Sequence, residues 1–490
     1  MADVMQVLGD IVKFILDHIV FINILLSIIV VFFQRKEPAS AWAWLLILYA
    51  IPIIGFVFYV LAGMDFHKRK MFRTKEIEDK VNETIRQQEK SIRSSDLDEY
   101  APELSRFKDL MMYNLESNAS VLTNDNAIKI FSDGNDKFDS LVEDIKNAKE
   151  YIFLQYYIIK NDLLFTRIKD ELIKKAHEGV DVKILYDAMG CRTIRKSYWK
   201  KLRKEGIETV EFFPAKMRRL HVRINYRNHR KIVVIDGKVG YVGGYNIGKE
   251  YIGLSKRFGY WRDTHLRVEG SAVFDLMAHF MLDWNYSSGQ NIFENEKYKF
   301  IPPETPVGNN LMQIISSGPD SKYKNIRNNY IKLISKARKS IYIQTPYFIP
   351  DEAVLSSLLI ACNSGVEVNL MIPCKPDHPF VYWATYSYMG DLVKAGANCY
   401  LYNDGFLHAK GVMIDGKVFC YGTANMDIRS FCLNFEVNAV VYSEEETLKM
   451  EALFNEDVKK STLVTRDEYL KRGVFLRFKE QCCRLLSPIL

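Results

Sequence analysis

The fold is decided by residues 228–237, which read NHRKIVVIDG. This stretch places a histidine two residues before a lysine, and the lysine before an apolar run that ends in Asp-Gly. The same spacing recurs later in the chain and extends to a glycine and an asparagine beyond the run. The first copy consists of His229, Lys231, Asp236, Gly243 and Asn246, and the second of His408, Lys410, Asp415, Gly422 and Asn425. At ordinary residue frequencies such a match is too specific to arise twice by chance, so it indicates a duplicated chain.

Each copy predicts a short β-hairpin. The apolar run 232–235 has the composition of a buried strand, and the Asp-Gly pair that follows is a typical hairpin turn. Since alternate residues of a strand point to one side, His229 and Lys231 share a face. The glycines after the return strand permit a tight turn that brings Asn246 back toward that face. Two such hairpins related by a pseudo-two-fold axis would surround one centre.

An internal repeat extends beyond the motifs. Residues 148–155 parallel 337–344, and residues 179–185 parallel 365–371, each with the pattern of a helix end followed by an apolar strand. Alternating strands and helices predict an α/β fold in which helices cover both faces of a sheet. Proline and glycine interrupt this pattern between the two repeats. We therefore expect a first half at 125–292, a linker at 293–322 and a second half at 323–490 with an amphipathic C-terminal tail.

Two apolar runs predict a membrane hairpin over residues 1–62. The first lies near 11–33. The second, at 41–62, has no charged residue and reaches roughly 33 Å at ~1.5 Å per residue, enough to span a bilayer. The charged stretch 63–124 predicts a helical connector, and it contains the basic cluster Lys68-Arg69-Lys70. By the positive-inside rule, we expect a multi-pass protein of the cell membrane whose main part lies on the cytoplasmic side.

The composition favours an anionic partner. A total of 67 basic and 60 acidic residues leaves a net charge of +7, which suits lipid or nucleic acid. Arginines at positions 218, 219, 223, 227 and 230 precede the first motif and could steer an anionic headgroup, although a solvated basic face explains them nearly as well. None of the eight cysteines forms a C-x-x-C pair, which argues against a zinc site and favours free thiols in a reducing compartment.

The paired motifs resemble the HKD motif of the phospholipase D superfamily. With WRDTH at 261–265, NFE at 434–436 and the N-terminal hairpin, the chain resembles the bacterial cardiolipin synthases over most of its length. This resemblance implies two pseudo-symmetric phospholipase D-like α/β/α halves packed together, preceded by an N-terminal transmembrane helical hairpin. It also implies a phosphatidyltransferase that joins two phosphatidylglycerol molecules into cardiolipin and glycerol through a phosphohistidine. Phosphatidylglycerol and cardiolipin would be its membrane partners, and a homo-oligomer is left open.

The candidate site follows from the motifs. Its catalytic residues are His229, Lys231, Asp236, His408, Lys410 and Asp415, and its supporting residues are Asn246, Asn425, Asp263 and Glu436. One histidine can attack phosphorus while the other protonates the leaving oxygen. The lysines and asparagines can neutralise the non-bridging oxygens, so we expect neither a metal nor a cofactor.

Two further roles concern acidic residues. A reactive histidine usually has its second nitrogen held by an acid, and Asp263 and Glu436, each downstream of one motif, are candidates for this role. Asp236 and Asp415 belong to the motif in the family, but their place in hairpin turns indicates a structural role. The resemblance also favours His229 as the nucleophile and His408 as the general acid.

Other functions use the same residues. Water or serine as the acceptor would make the protein a phospholipase D or a phosphatidylserine synthase. A nuclease fits less well because a membrane hairpin serves a lipid substrate better, so we expect no nucleic-acid partner. A non-catalytic binder of anionic polymer would not need both motifs intact. Lipid products formed from phosphatidylglycerol alone distinguish these possibilities.

Overall fold

The computed structural model describes residues 102–213 and 226–487, and near the N-terminus residues 10, 13–14, 17–28, 30 and 38–59. The strands are Thr123–Phe131 (β1), Tyr151–Tyr156 (β2), Asp181–Asp187 (β3), Ile207–Phe212 (β4), Arg227–Asn228 (β5), Ile232–Ile235 (β6), Val239–Gly243 (β7), Trp261–Arg262 (β8), His265–Glu269 (β9), Asn310–Ser317 (β10), Ser340–Gln344 (β11), Phe348–Ile349 (β12), Glu367–Pro373 (β13), Asn398–Tyr402 (β14), Phe406–Leu407 (β15), Gly411–Ile414 (β16), Val418–Gly422 (β17), Met426–Asp427 (β18), Asn434–Tyr442 (β19) and Ser461–Leu463 (β20). The α-helices are Ile19–Ile28 (α1), Pro38–Ala50 (α2), Pro52–Phe58 (α3), Lys108–Asn118 (α4), Gly134–Asn147 (α5), Leu163–His177 (α6), Lys196–Lys204 (α7), Val273–Ser288 (α8), Asn325–Lys336 (α9), Glu352–Asn363 (α10), Pro379–Lys394 (α11), Ile428–Cys432 (α12), Glu444–Lys459 (α13), Arg466–Leu470 (α14) and Val474–Leu485 (α15).

The first half is a mixed sheet with strand order β1-β9-β7-β6-β2-β3-β4. β2, β3 and β4 run parallel, and β6, β7, β9 and β1 follow with antiparallel pairing. All residues of β2 are buried, as expected for a central strand whose two faces are both covered. The hairpin β6–β7 is the one that the first motif predicts, and its Asp236-Gly237 turn is left-handed, with φ of 53° and 64°.

The second half repeats this arrangement. Its strand order is β10-β19-β17-β16-β11-β13-β14, with β20 added at the edge. The register is also repeated, because Ile152 lies opposite Ile235 in the first half and Ile341 lies opposite Ile414 in the second. The turn at Asp415 has the same φ of 53° as its counterpart. These features confirm the α/β architecture with two related halves.

The two halves join along their first strands. β1 pairs antiparallel with β10, so that one continuous sheet runs through the molecule. A hydrophobic cluster crosses this junction and includes Phe280 of α8, Val437 of β19 and Phe454 of α13. Each buried side chain of this size stabilises the fold by ~1.5–3 kcal/mol relative to an exposed one. The junction is therefore part of the core.

Two connecting stretches differ from the expected boundaries. The stretch 293–322 contains β10, which lies inside the sheet and is buried along its length, so this part is not a linker. Its flanking prolines and glycines obscured an apolar strand. In the stretch 63–124, residues 63–101 lie outside the described part, and α4 packs with α9 of the second half. Phe107, Leu110 and Met111 are fully buried there, so residues 102–118 belong to a core as well.

The N-terminal apolar segment is divided by a proline. The stretch expected to form one span at 41–62 contains two helices, α2 and α3, which are separated at Ile51, while residues 60–62 lie outside the described part. Pro52 has no N–H to bond the carbonyl of Leu48, and the side-chain amide of Asn23 in α1 donates to that carbonyl at 2.9 Å. Among the residues that the structure describes, no helix combines the length and the apolar character needed to cross a bilayer.

The C-terminal helix α15 is amphipathic, as the tail was expected to be. It packs against α11, with Cys483 in a small cluster beside Ile349 and Ala384. Its opposite face exposes Phe475, Phe478 and Leu485, which retain 81%, 66% and 70% of their accessible surface. Lys479 borders this face, with its ammonium 4.2 Å from the ring centre of Trp383.

Candidate active site

The two motif histidines lie at strands that pair across the halves. β5, which precedes His229, pairs with β19 of the second half, and the amide of His229 donates to the carbonyl of Phe435 at 2.9 Å. β15, which precedes His408, pairs with β8 of the first half, and the amide of His408 donates to the carbonyl of Arg262 at 2.7 Å. Each histidine is thus positioned by backbone of the opposite half.

Each histidine is also hydrogen-bonded to a carboxylate that belongs to the opposite half. His229 Nδ1 lies 3.0 Å and 2.9 Å from the two carboxylate oxygens of Glu436. His408 Nδ1 lies 2.5 Å from Asp263 Oδ2. The sequence identified both acids, each downstream of the motif in its own half, but each one contacts the histidine of the other half. A site built from one half alone would lack the acid for its histidine.

The protonation of these pairs follows from their charges. Burial would raise the pKa of Glu436, but the charges of His229 and Lys231 and its hydrogen bonds hold that pKa below its ordinary value. Burial would likewise raise the pKa of Asp263, which Lys410 and His408 lower instead. An ionised carboxylate only accepts hydrogen bonds, so Nδ1 of each histidine carries the proton and Nε2 keeps the lone pair.

Burial favours the neutral form of both histidines. Burial lowers the pKa of His229, and this effect outweighs the attraction of Glu436. Burial also lowers the pKa of His408 to about 4, and the nearby Lys410 adds to the shift. A bound phosphodiester anion would favour the protonated form of either ring, because an opposite charge close by raises a histidine pKa.

The two lysines lie beneath the histidines. Lys231 Nζ donates to the carbonyl of His229 at 2.6 Å. Lys410 Nζ donates to the carbonyl of His408 and lies 2.7 Å from His408 Nδ1 and 3.6 Å from Asp263 Oδ2. Burial lowers the pKa of Lys231 to about 7 and that of Lys410 to about 8. Burial therefore disfavours the positively charged form of both lysines, and an anionic ligand would stabilise that form.

The turns after the return strands make the halves unequal. A Cβ on Gly244 would lie 1.9 Å from Asp263 Oδ1, so glycine is required for the carboxylate to approach. The equivalent residue of the second half is Thr423, whose hydroxyl donates to Glu436 Oε2 at 2.6 Å. Asn434 donates to the other oxygen of Glu436 at 3.1 Å. Glu436 consequently accepts from two neutral side chains, whereas Asp263 forms an ion pair with Lys410 at 3.6 Å.

The two asparagines also differ. Asn246 accepts from the amide of Ile158 at 3.0 Å and donates to the hydroxyl of Tyr251 at 3.0 Å, so both ends of its side-chain amide hold the loop. Asn425 lines the same cavity as Asn246, but its buried Oδ1 has no hydrogen-bond partner within the part of the chain that the structure describes. Asn425 therefore offers an acceptor to a ligand hydroxyl, whereas the side-chain amide of Asn246 is used within the protein.

Asp236 and Asp415 lie away from the histidines, in the hairpin turns. Asp236 accepts from the amides of residues 149–151 at 2.8–2.9 Å. Asp415 accepts from the amides of residues 338–340 at 2.7–3.2 Å and forms an ion pair with Arg106 at 2.7 Å. Each carboxylate ties its hairpin to the start of the neighbouring strand, which fits a structural role.

Both histidines line one cavity of about 350 Å³. Further residues around it were missed at the sequence level because their separation in the chain gave no pattern. They include Tyr157, Tyr347, Asp377, Asp427 and Arg429. Arg227, which belongs to the arginine cluster noted before the first motif, also lines the cavity, but Arg230 of that cluster forms a buried ion pair with Asp283 at 2.8 Å. Arg218, Arg219 and Arg223 lie outside the described residues.

Metal ligands were not expected from the sequence. Within residues 102–213 and 226–487 and the described N-terminal segments, no group of three or more His, Cys, Asp or Glu side chains is arranged to hold a metal ion.

Comparison with known proteins gives consistent matches. A family model described as "Cardiolipin synthase, PLD-like domain" matches residues 141–258 and 330–458, and one described as "Phospholipase_D-nuclease N-terminal" matches residues 21–63.

The chain is 48% identical over 473 residues to the major cardiolipin synthase ClsA of Bacillus subtilis (strain 168), covering 96% of this chain and 97% of that protein. It is 46% identical over 478 residues to a cardiolipin synthase of Listeria monocytogenes serotype 4a (strain HCC23), covering 97% of this chain and 99% of that protein. A solved phosphatidylserine synthase of Haemophilus influenzae Rd KW20 aligns with a TM-score of 0.61 at 15% identity, covering 78% of this chain and 99% of that chain, which is a likeness of fold.

Proposed function

Because the chain belongs to the bacterial cardiolipin synthases of the phospholipase D superfamily, we propose that its paired histidines move a phosphatidyl group between two phosphatidylglycerol molecules. Members of this family are phosphatidyltransferases of the phospholipase D type that act on phospholipids. The observation that carries the proposal is the pair of carboxylate-held histidines lining one cavity. Each ring has its Nδ1 fixed, which leaves Nε2 for chemistry.

In the first step, Nε2 of His229 attacks the phosphorus of one phosphatidylglycerol. The new N–P bond replaces the bond to the headgroup oxygen, and protonated His408 gives its Nε2 proton to that oxygen, releasing glycerol. Lys231 and Lys410 face the non-bridging oxygens, whose charge grows in the transition state. The anionic Glu436 behind His229 stabilises the positive charge of the phosphohistidine ring.

In the second step, a second phosphatidylglycerol takes the place of glycerol. Nε2 of neutral His408 accepts the proton from its terminal hydroxyl, and the hydroxyl oxygen attacks phosphorus. The O–P bond of cardiolipin forms as the N–P bond to His229 breaks. His408 is protonated again, as it was at the beginning of the first step.

The test is product analysis with the purified, detergent-solubilised protein and phosphatidylglycerol as the sole lipid. Cardiolipin and glycerol in equal amounts support the proposal. Phosphatidic acid without cardiolipin would instead mean that water is the acceptor. Absence of turnover would favour a binding protein. Adding serine tests the remaining acceptor, since phosphatidylserine would form only if serine competes with the lipid hydroxyl.

We expect activity to survive a strong chelator. The two lysine ammonium groups supply the positive charge that a divalent ion supplies in metal-dependent phosphoryl transfer. Cardiolipin formation in neutral detergent micelles should change by less than about two-fold with excess EDTA, because no step draws on a metal. Complete loss of activity that a divalent cation restores would contradict this mechanism.

We expect kcat/KM to fall as the pH rises through 7 to 8. Burial lowers the pKa of Lys231 to about 7 and that of Lys410 to about 8, so the free enzyme loses these positive charges in that range. The profile of kcat/KM reports the free enzyme, whereas kcat reports the complex, in which the phosphodiester anion retains the lysine protons. The alkaline limb of kcat should therefore lie at higher pH.

A matched variant sharpens the pH test. In Lys231→Arg the guanidinium stays charged far above pH 8, so the alkaline limb of kcat/KM should move upward even where the maximal rate is lower. An unchanged limb would mean that a different group sets it.

The protein is membrane-associated, as its family and its N-terminal match indicate. We further propose that residues 1–62 anchor it as a multi-pass protein with the catalytic halves on the cytoplasmic side. Support comes from the apolar runs and from the basic cluster at 68–70, which lies outside the described residues. The exposed apolar face of α15, bordered by Lys479, also suits contact with an anionic bilayer.

Thiol labelling in intact cells tests this orientation. The side chain of Glu296 is 87% exposed, so in a Glu296→Cys variant a membrane-impermeant maleimide should modify the new thiol only after the cells are permeabilised. The unsubstituted protein is the control for labelling at other thiols. Labelling that is specific to the variant in intact cells would contradict the cytoplasmic assignment.

A further inference from the structure

Two arginines line the catalytic cavity without belonging to either motif. Arg227 lies in β5, two residues before His229, and only 7% of its surface is accessible to solvent. Arg429 begins the last turn of α12, a short helix that follows the loop of Asn425. They come from different halves and meet at the cavity that holds both histidines. We propose that Arg227 and Arg429 form a second phosphodiester site, which holds the phosphate of the acceptor lipid; this inference rests on the proposed function.

The chemistry of the reaction requires such a site. The donor phosphate occupies the space between the histidines and uses the charge of Lys231 and Lys410. The acceptor phosphatidylglycerol brings a second phosphodiester, separated from its attacking hydroxyl by the glycerol carbons. An anion taken into a partly desolvated cavity is costly unless a cation and hydrogen bonds meet it. Water or serine as the acceptor would bring no such phosphodiester.

The two arginines line the same cavity, and each is within electrostatic reach of the other. The pKa of Arg227 is lowered, first by burial and also by the like charge of Arg429. Burial raises the pKa of Tyr157, and the positive charges of Arg227 and Arg429 both oppose this rise. The Tyr157 ring lies 4.9 Å from the ring of His229, centre to centre. Both arginines thus line the cavity that holds the reacting histidine, as a lipid whose hydroxyl must reach the phosphorus requires.

The acidic groups nearby are directed toward protein donors. Asp187, which faces Arg227, accepts from the amides of Met189, Gly190 and Asn228 at 2.8–3.0 Å. Asp427 accepts from the amide of Ser430 at 2.6 Å. Asp377 accepts from the hydroxyl of Tyr347 and from the amide of His378. These bonds balance part of the negative charge around the cavity, and a forked guanidinium group has the geometry that binds phosphate oxygens in pairs.

The experiment compares two acceptors that share the first step. Cardiolipin formation requires the charged lipid acceptor, whereas exchange of labelled glycerol into phosphatidylglycerol uses the same phosphohistidine with an uncharged acceptor. In Arg429→Gln, cardiolipin formation should fall by about 10- to 100-fold, the range expected for loss of a charge-assisted contact. Glycerol exchange should stay within about three-fold of the wild type, because the donor phosphate and the catalytic groups are unchanged.

Matched variants exclude other causes. Arg429→Lys should recover part of the cardiolipin activity, because it restores the charge without the fork. Arg227→Gln should behave like Arg429→Gln, and its retained glycerol exchange would show that it folds. Arg167→Gln removes an exposed arginine that pairs with Asp139 at 2.6 Å on the surface, and it should affect neither reaction.

The outcomes separate this inference from the proposed function. If the wild type makes no cardiolipin, the proposed function is wrong, and the proposal of a second phosphodiester site is wrong as well. If the wild type makes cardiolipin, but Arg429→Gln lowers both reactions equally, the arginine serves the common step and the inference is wrong. It is also wrong if neither reaction changes. A selective loss of cardiolipin supports it.

Discussion

Replacing His408 with alanine is expected to leave a phosphatidyl group trapped on His229, whereas His229→Ala should trap nothing. Either change should lower cardiolipin formation on the order of 10⁴-fold or more, because the nucleophile and its proton donor act as a unit. The two losses differ in kind. His408→Ala keeps the attacking nitrogen but lacks the group that activates the acceptor hydroxyl, so the intermediate should form slowly and persist.

The assignment of roles follows from the two acids. Glu436 accepts hydrogen bonds from the neutral side chains of Thr423 and Asn434, and its negative charge supports the positive ring that forms when His229 bonds phosphorus. Asp263 shares its charge with Lys410, which leaves His408 the weaker base and, once protonated, the stronger acid. A stronger base attacks better and a stronger acid protonates a leaving oxygen better. His229 is accordingly the nucleophile.

Intact-protein mass spectrometry at neutral pH measures the result directly. The donor should be a phosphatidyl ester with a good leaving group, so that the first step does not need the missing acid. The double variant with both histidines replaced is the control for adducts elsewhere. An adduct on His408 in His229→Ala, with none in His408→Ala, would reverse the assignment.

Neutralising the exchanged acids is expected to give the second largest loss. Glu436→Gln and Asp263→Asn should each lower turnover by about 10³- to 10⁴-fold, comparable to replacing the aspartate of a serine-protease triad by asparagine. The amides are nearly isosteric with the carboxylates. However, they cannot stabilise an imidazolium, and their NH₂ groups favour the wrong histidine tautomer.

The exchange between halves makes the two acid variants distinguishable. Combined with His408→Ala, Glu436→Gln should abolish the adduct on His229, although Glu436 follows the other motif in the chain. Asp263→Asn in the same background should leave the adduct in place. Glu367→Gln, which changes an exposed acid at the start of β13, serves as the control. Loss of the adduct in Asp263→Asn alone would mean that each acid serves the histidine of its own half.

The sequence predicted the elements of the site better than their pairing. The spacing around His229 and His408 sufficed for the hairpins and for the fold of each half, because strand periodicity and Asp-Gly turns act locally. The partners of these histidines depend on how the halves pack, which no local pattern encodes. Arg429 was missed for the same reason, since it lines one cavity with His229 of the opposite half only in the folded chain.

Local signals also failed where two of them competed. The run 41–62 reads as one apolar helix, yet Pro52 divides it because Leu48 loses its hydrogen-bond partner and Asn23 supplies another. β10 lies among prolines and glycines, so the breakers at 293–322 masked a strand that only pairing with β1 and β19 makes evident. In both places the deciding interaction comes from a distant part of the chain.

The exchange of strands and acids between the halves has a consequence for ancestry. A single half carries a histidine, a lysine and an acid, but its acid reaches only the histidine of a neighbour. Two identical copies related by a two-fold axis would satisfy each other in the same way, so the ancestor of this chain could work as a dimer before its gene was duplicated and fused. After fusion the two copies could diverge, as the pair Gly244 and Thr423 shows. One histidine of the shared site then became the nucleophile and the other the general acid. Expressed as separate polypeptides, the halves should be inactive alone and regain activity when mixed.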